Sequence, residues 1–481
     1  MRFDTGGPYS SYQLIRQRSD PLRDESEFYS NQVMVNPPIS EAIPSNTASQ
    51  VGRKVLIVAY HYPPQTGSSG HLRALKFSRY LPENGWIPTV LTVHPRAYER
   101  VDNRQIDEVP NGVKVLRCFA LDTQRHLSFR GRYSRYTALP DRWVTWCLGA
   151  LPAGLHAIYS DDIDVILTTF PVPSAVLIGY LLHRLTGKPW IADFRDSMTE
   201  DDYPRDPLTR RVLRWLEKKA VRHASRLLFT AASARRMYLE RYPELTADRC
   251  LLLSNGYDEE DFAGIEFAPA PTHRTGPLRL LHSGLIYPEE RNPLPFFSAL
   301  ATLKREGKLN ASQLSVELRA AGNEAQYQQI VNQLDITDLV HFLPSLSYRA
   351  ALEESHRAGA LLLLQAGSCD HQIPAKAYEY LRLGKPILAL TTHRGDTAAL
   401  LNECGGATIV DIADEESIYR ALPDFISSVK SERHPLPNMS RVSAHSRRSR
   451  TRDLSRYLSE VVDKQHAPAT LAKIESLGAR S

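Results

Sequence analysis

Four short stretches of this sequence put charged and small residues where chemistry could be done. The first is Asp193-Phe-Arg-Asp196, directly after an apolar run at Pro189–Ala192. Two carboxylates and a guanidinium beyond a strand end can orient a hydroxylated ligand, hold a metal, or simply pair with each other. The second is the loop His371, Gln372, Ile373, Pro374 with the following Ala-Lys-Ala-Tyr-Glu-Tyr-Leu-Arg-Leu-Gly384. Pro374 suits a first helical turn and Gly384 a helix end, so Lys376 and Glu379 share one face. A carboxylate there can accept both hydrogens of a ribose diol while the helix start attracts phosphate. Spacing alone would equally give a surface Lys–Glu pair. The third is Ser283-Gly284 with Arg291 close behind, suited to a diphosphate or to an ordinary surface arginine. The fourth is Gly67, Ser68, Ser69 and Gly70, opening a helix at His71. Such a turn lets the backbone approach an anion closely, or merely joins strand to helix. It is not GxGxxG, so a dinucleotide cofactor is not indicated.

The elements that must carry these stretches alternate in type. Lys54–Tyr60 is a continuous apolar run, as expected of a parallel strand buried on both faces. Strand-length runs follow at Thr89–Val93, Val113–Cys118, Val165–Thr169, Pro189–Ala192, Arg226–Thr230 and Cys250–Leu253, with helical patterns between them. After the Pro-, Ala- and Thr-rich stretch 263–277 a second alternation begins at Leu278 and runs through Leu314–Ala321, Leu339–Leu343, Ala360–Gln365, Pro386–Leu390 and Ala407–Val410. This predicts an α/β chain of two Rossmann-like, doubly wound parallel-sheet domains, at 53–262 and 278–430. A polar extension (1–52) precedes them, and a helical segment (431–465, with one long helix over about 440–462) and a tail (466–481) follow. The acidic run Asp161-Asp-Ile-Asp164 precedes its strand, so it falls on the sheet edge opposite the other stretches and reads as a turn.

Composition narrows the partners. The 481 residues carry a net charge of +5 with no long basic domain, so no nucleic-acid partner is expected. The five cysteines have no metal-ligand spacing, which predicts reduced thiols and no metal site. No apolar run approaches the length of a membrane span, and the expected location is the cytoplasm. Arg125, Arg130, Arg132, Arg135 and Arg142 interleave with Phe129, Tyr133 and Tyr136 and lead to Trp143 and Trp146. Segment 125–146 reads either as a solvated loop or as a peripheral contact with an anionic membrane surface.

In this order the segments resemble the retaining glycosyltransferases of family 4, which have the GT-B fold. The resemblance spans about 54–458. It is strongest at Ile373–Leu388, similar to the donor helix of the branch acting in cell-surface polysaccharide synthesis, and is supported by Tyr60–Pro64, Gly187–Asp196 and Ser254–Phe262. It implies transfer of a sugar, with retention, from a nucleotide diphosphate sugar to a glycan or lipid-linked acceptor, with no cofactor required. Glu379 would be the second glutamate of the family's E-x7-E motif, bonded to the donor ribose. Gln372–Pro374 would line sugar and diphosphate, with Lys376, Arg291, Ser283 and Gly284 at the phosphates and Gly67–Gly70 closing over them. Arg195 and Asp196 would orient the reactants. The chain departs from the family twice: His371 stands where the first glutamate would fall, and Arg195 where many relatives carry histidine. A nucleotide-sugar epimerase of the same fold and a catalytically silent nucleotide-sugar binder are the competing readings.

Overall fold

The computed structural model describes residues 52–66, 70–200, 203–265 and 276–466. Gly67, Ser68 and Ser69, most of the predicted linker, and nearly all of both predicted terminal segments outside the domains lie outside the described residues. The N-terminal unit contains β1 (Arg53–Ala59), α1 (Gly70–Tyr80), β2 (Trp86–Val93), β3 (Lys114–Cys118), α2 (Thr123–His126), α3 (Cys147–Ser160) and β4 (Val165–Thr169). It continues through α4 (Pro173–Thr186), β5 (Trp190–Phe194), α5 (Pro207–His223), β6 (Arg226–Phe229), α6 (Ala232–Arg241) and β7 (Cys250–Leu252). The second unit contains β8 (Leu278–Ser283), α7 (Leu294–Arg305), β9 (Leu314–Arg319), α8 (Glu324–Gln333), β10 (Val340–Leu343), α9 (Tyr348–Arg357) and β11 (Ala360–Leu364). Then come α10 (Ala375–Leu383), β12 (Ile387–Leu390), α11 (Asp396–Cys404), β13 (Ala407–Val410), α12 (Glu415–Lys430), α13 (Met439–Ser443) and α14 (Arg447–His466).

The two sheets have seven strands in the order β3-β2-β1-β4-β5-β6-β7 and six in the order β10-β9-β8-β11-β12-β13. All pairings are parallel. Each sheet reverses its winding once, between β1 and β4 and between β8 and β11. A crevice opens beyond the strand ends at such a reversal. The loops after β1, β8 and β11 hold three of the four predicted stretches, and the loop after β5 holds the fourth.

The strands are apolar on both sides because helices cover both faces. Leu56 and Val58 enter one core cluster, while Val55, Ile57 and Ala59 enter another across the sheet. Leu362 and Leu364 likewise part from Leu361 and Leu363 in the second unit. Truncating one of these leucines to alanine costs about 2–5 kcal/mol.

Two differences from the sequence reading have physical causes. The last helix is not continuous: the chain breaks at Ala444–Ser446 between α13 and α14. There Gly256 packs so tightly that a Cβ would meet the His445 carbonyl at 2.1 Å, and Arg447 N–H donates to the Tyr257 carbonyl. After that break Leu454, Leu458, Val461 and Val462 of α14 join the core of the N-terminal sheet beside Val55 and Ile57. Second, Trp143 and Trp146 are buried core residues, with Trp143 stacked 4.5 Å from Tyr60. They are removed from any surface role of segment 125–146.

Candidate active site

Loops from both units meet at one cleft. It is lined by Arg195, Asp196, Thr230 and Asn255 on one side and by Glu290, Arg291, Gln365, Cys369, Gln372, Ile373 and Pro374 on the other. It encloses about 470 Å³, its open mouth included.

On the second unit's side the geometry is set by α10. Pro374 caps it and Gly384 ends it in the left-handed region, at φ 67°. Lys376 points back at β8, where its Nζ donates to the Ser283 carbonyl (2.8 Å) and lies 3.2 Å from His282 Nε2. His282 Nδ1 is 2.9 Å from the Leu362 carbonyl, which needs a donor. The ring proton therefore sits on Nδ1 and Nε2 accepts from Lys376. Gly284, at φ 112°, lets the amine come close: a Cβ there would lie 3.1 Å from Nζ. The Tyr380 hydroxyl accepts from Ser283 N–H and pins the same turn.

Charge is scarce on the neutralising side. Burial, then the nearby Arg291 guanidinium, holds the Lys376 ammonium well below the ordinary lysine range. Burial and Lys376 likewise keep His282 well below the usual imidazole value. Arg291 donates to the Leu285 carbonyl and stacks 5.0 Å over Tyr287. Among the described residues neither Lys376 nor Arg291 forms a salt bridge. A desolvated amine beside a half-exposed guanidinium, neither in a salt bridge, suits an anion. Glu379, one turn along from Lys376, accepts from the Tyr348 hydroxyl at 2.8 Å, and burial raises its carboxyl above the usual range.

On the N-terminal side the Asp193-Phe-Arg-Asp196 stretch divides its labour. Asp193 is buried and takes two hydrogen bonds from Arg73, at 2.7 and 2.8 Å. Arg73 also donates to the Leu253 and Ser254 carbonyls, so this pair ties α1 to the end of the sheet. Arg195 donates to the Gly70 carbonyl (2.8 Å), and its own carbonyl accepts from the Thr230 hydroxyl. Asp196 makes no hydrogen bond among the described residues; burial raises its pKa, opposed by Arg195 and then by His371.

Of the predicted residues, Arg195, Asp196, Arg291, Gln372, Ile373 and Pro374 line the cleft together. Ser283, Gly284 and Lys376 are joined to one another, and Glu379 follows one turn along α10, but none of the four is in the lining. Gly70 is placed as the first residue of α1, whereas Gly67, Ser68 and Ser69 lie outside the described residues. His371 bonds across the cleft to Glu200, at 2.8 Å. The sequence reading missed His282, Tyr348 and Glu200; only the carboxylate of Glu200, four residues past Asp196, offered a signal. Among the described residues no acidic, histidine and cysteine group is arranged to hold a metal, all five cysteines are free and buried, and no helix is long and apolar enough to cross a membrane.

Residues 70–256 match the model of a glycosyl transferase 4-like domain. Among solved structures the chain is similar to Anabaena HepE in complex with UDP and glucose, with 12% identity and a TM-score of 0.57 over 85% of this chain and 100% of that one. It is also similar to the N-terminal domain of Candida albicans trehalose-6-phosphate phosphatase, with 13% identity and a TM-score of 0.61 over 85% and 97%. A third is WaaG, a glycosyltransferase involved in lipopolysaccharide biosynthesis, with 14% identity and a TM-score of 0.51 over 86% and 100%. A comparison with curated proteins finds no match. These likenesses establish the two-domain GT-B fold, and the domain match on that fold supports a nucleotide-sugar glycosyltransferase.

Proposed function

We propose that the chain transfers a sugar, with retention, from a nucleoside diphosphate sugar to a glycan or lipid-linked acceptor in the synthesis of a cell-surface polysaccharide or glycoconjugate. The observation that carries this reading is that Lys376 and Arg291 lie near each other with no salt bridge among the described residues, while the cleft that Arg291 lines holds the unbonded Asp196 carboxylate on its opposite wall. HepE, of the same fold, is bound to UDP and glucose.

In the reaction the bond from the anomeric carbon to the diphosphate oxygen breaks and a bond to the acceptor oxygen forms. Charge develops on the leaving diphosphate, and Lys376 and Arg291 neutralise it from fixed positions. The same charge draws the Lys376 pKa back up, because an adjacent anion favours the ammonium. Glu379 accepts the ribose hydroxyls once the nucleotide is seated. Asp196 accepts a hydrogen bond from a neighbouring hydroxyl of the acceptor and so orients the attacking one, whose own proton leaves to a diphosphate oxygen on the same face. Closure of the two units over the donor excludes water and limits hydrolysis.

The acceptor side fits a lipid-linked saccharide. Phe129 and Tyr136 are 76% and 73% exposed, beside Arg130 and Arg132, in the segment that follows the end of β3. Aromatic rings with interspersed cations suit an anionic membrane surface.

The test is thermal denaturation with uridine, guanosine and thymidine diphosphate sugars. A ligand that binds only the native state raises the apparent melting temperature. One donor should raise it in the wild type, and Glu379→Ala should remove most of the shift. No shift with any of the donors, or an unchanged shift in the variant, would overturn the assignment. Incubation of the labelled donor without acceptor separates an epimerase, which needs none.

A further inference from the structure

Among the described residues, the side-chain contacts that join the units include one at Asp396 and one at His371. The Asp396 carboxylate, on the first residue of α11, accepts from Ser233 N–H in the first turn of α6 at 2.9 Å. His371 Nε2 meets Glu200 Oε1 at 2.8 Å, both side chains being mostly buried. His371 lies between the cleft residues Cys369 and Gln372, and Glu200 four residues past Asp196.

The two contacts differ in kind. The Asp396 contact is a carboxylate on a backbone N–H. The His371 contact gains the attraction of an ion pair when both ring nitrogens carry a proton. The charged groups facing the ring from neighbouring elements are carboxylates: Glu200 and Asp196 from the loop after β5, and Asp396 from α11. The cations of the same loops are engaged elsewhere, Arg195 with the Gly70 carbonyl and Arg394 with Asp370. The hydrogen bond to Glu200 raises the His371 pKa above the usual imidazole value, against the opposing effect of burial.

We propose that Glu200 and His371 are a positioning pair, one member from each unit, that holds the two walls of the cleft at working separation while His371 carries its proton. This deepens the donor-site reading, yet the contact and its pH response stand without a donor. The sign follows from linkage. In the open cleft the ring has its ordinary pKa of about 6.5. In the closed cleft the pKa is higher. The pair's contribution to closure is therefore complete below the open value and fades as pH rises through the closed one.

The experiment is small-angle X-ray scattering of the full chain without ligand, from about pH 6 to about pH 9. The wild type should expand as pH rises. His371→Gln should be expanded at every pH and show no transition. Glu200→Gln should move the transition to lower pH, since the foremost of the carboxylates that raise the imidazole pKa is gone while Asp196 and Asp396 remain. Asp396→Asn should expand the cleft but keep a pH transition. With a donor, the wild-type KM should rise about tenfold across the same window, with a smaller change in kcat, and His371→Gln should flatten it. A wild-type radius of gyration independent of pH, or a transition that survives in His371→Gln, would overturn the pair. If scattering is flat while a nucleotide sugar still binds, the pair fails and the transferase reading stands. If scattering responds and no nucleotide binds, the reverse holds.

Discussion

The two walls of the cleft are built on the same strand order and finished in opposite ways. On the second unit's wall the polar groups around α10 are committed to protein partners: His282 and Ser283 hold Lys376, Tyr380 holds the Ser283 N–H, and Tyr348 holds Glu379. On the N-terminal wall Arg195 is fixed from both ends, yet Asp196 beside it makes no hydrogen bond among the described residues. The first arrangement pre-pays orientation and leaves two cations short of an anion. The second keeps the hydrogen-bonding capacity of one carboxylate in reserve. On the function proposed above, the contrast would separate a binding wall from a reacting wall, and it can be broken by experiment.

The largest effect is expected at Asp196. Asp196→Asn should lower kcat by about 10²- to 10³-fold while nucleotide affinity stays within about twofold. The same change should stabilise the fold. The raised Asp196 pKa means that the folded state loses stability as pH climbs from the ordinary aspartate value of about 3.9 through the folded one. The variant's advantage in melting temperature should therefore be present at pH 7 and vanish in acid. A loss of nucleotide affinity in Asp196→Asn would erase the distinction between the walls.

Next comes Lys376→Met, which should weaken nucleotide diphosphate binding by about 10- to 100-fold, read by calorimetry. Unchanged affinity would show that the unpaired cations do not serve the donor. Gly284→Ala should cost about 1–3 kcal/mol of stability in denaturant unfolding, because its φ of 112° is strained for alanine and its Cβ would press on Lys376. The smallest effect belongs to the rim. Arg130→Glu with Arg132→Glu should reduce cosedimentation with anionic vesicles several-fold while leaving catalysis on a soluble acceptor intact. Binding indifferent to these arginines would return the segment to a solvated loop.

Much of this could be read before any coordinates, for a definable reason. Parallel strands buried on both faces are written as apolar runs, so Val165–Thr169 appears as read and Pro386–Leu390 does so save for its first residue. Helix α10 carries its own start and stop in Pro374 and Gly384, which put Lys376 and Glu379 on one face. Helix α12 is not among the elements read from the sequence: Pro423 inside it argues against a helix, although Ile418, Leu422, Phe425, Ile426 and Val429 recur at helical spacing. The break before α14 has a local signal in Ser446, whose Oγ accepts from Ser449 N–H and caps the new helix, and Gly256 packs against it from nearly two hundred residues away. The site divides the same way. Its helix and small-residue turns were legible, whereas Arg73 with Asp193, His282 with Lys376, and Glu200 with His371 are pairs made by folding across 120, 94 and 171 residues. Segment 125–146 shows the limit of composition: tryptophans beside arginines look alike whether they meet lipid or, as Trp143 and Trp146 do, the interior.

Helix α14 carries a consequence for biosynthesis. Leu454, Leu458, Val461 and Val462 cover part of the face that holds Val55 and Ile57. On the ribosome, the N-terminal sheet, complete at β7, must wait with that patch bare until some two hundred further residues have been translated. The N-terminal unit is thus finished last, and a shortened gene stopping after β7 should yield a sticky, chaperone-bound product rather than a free-standing half enzyme.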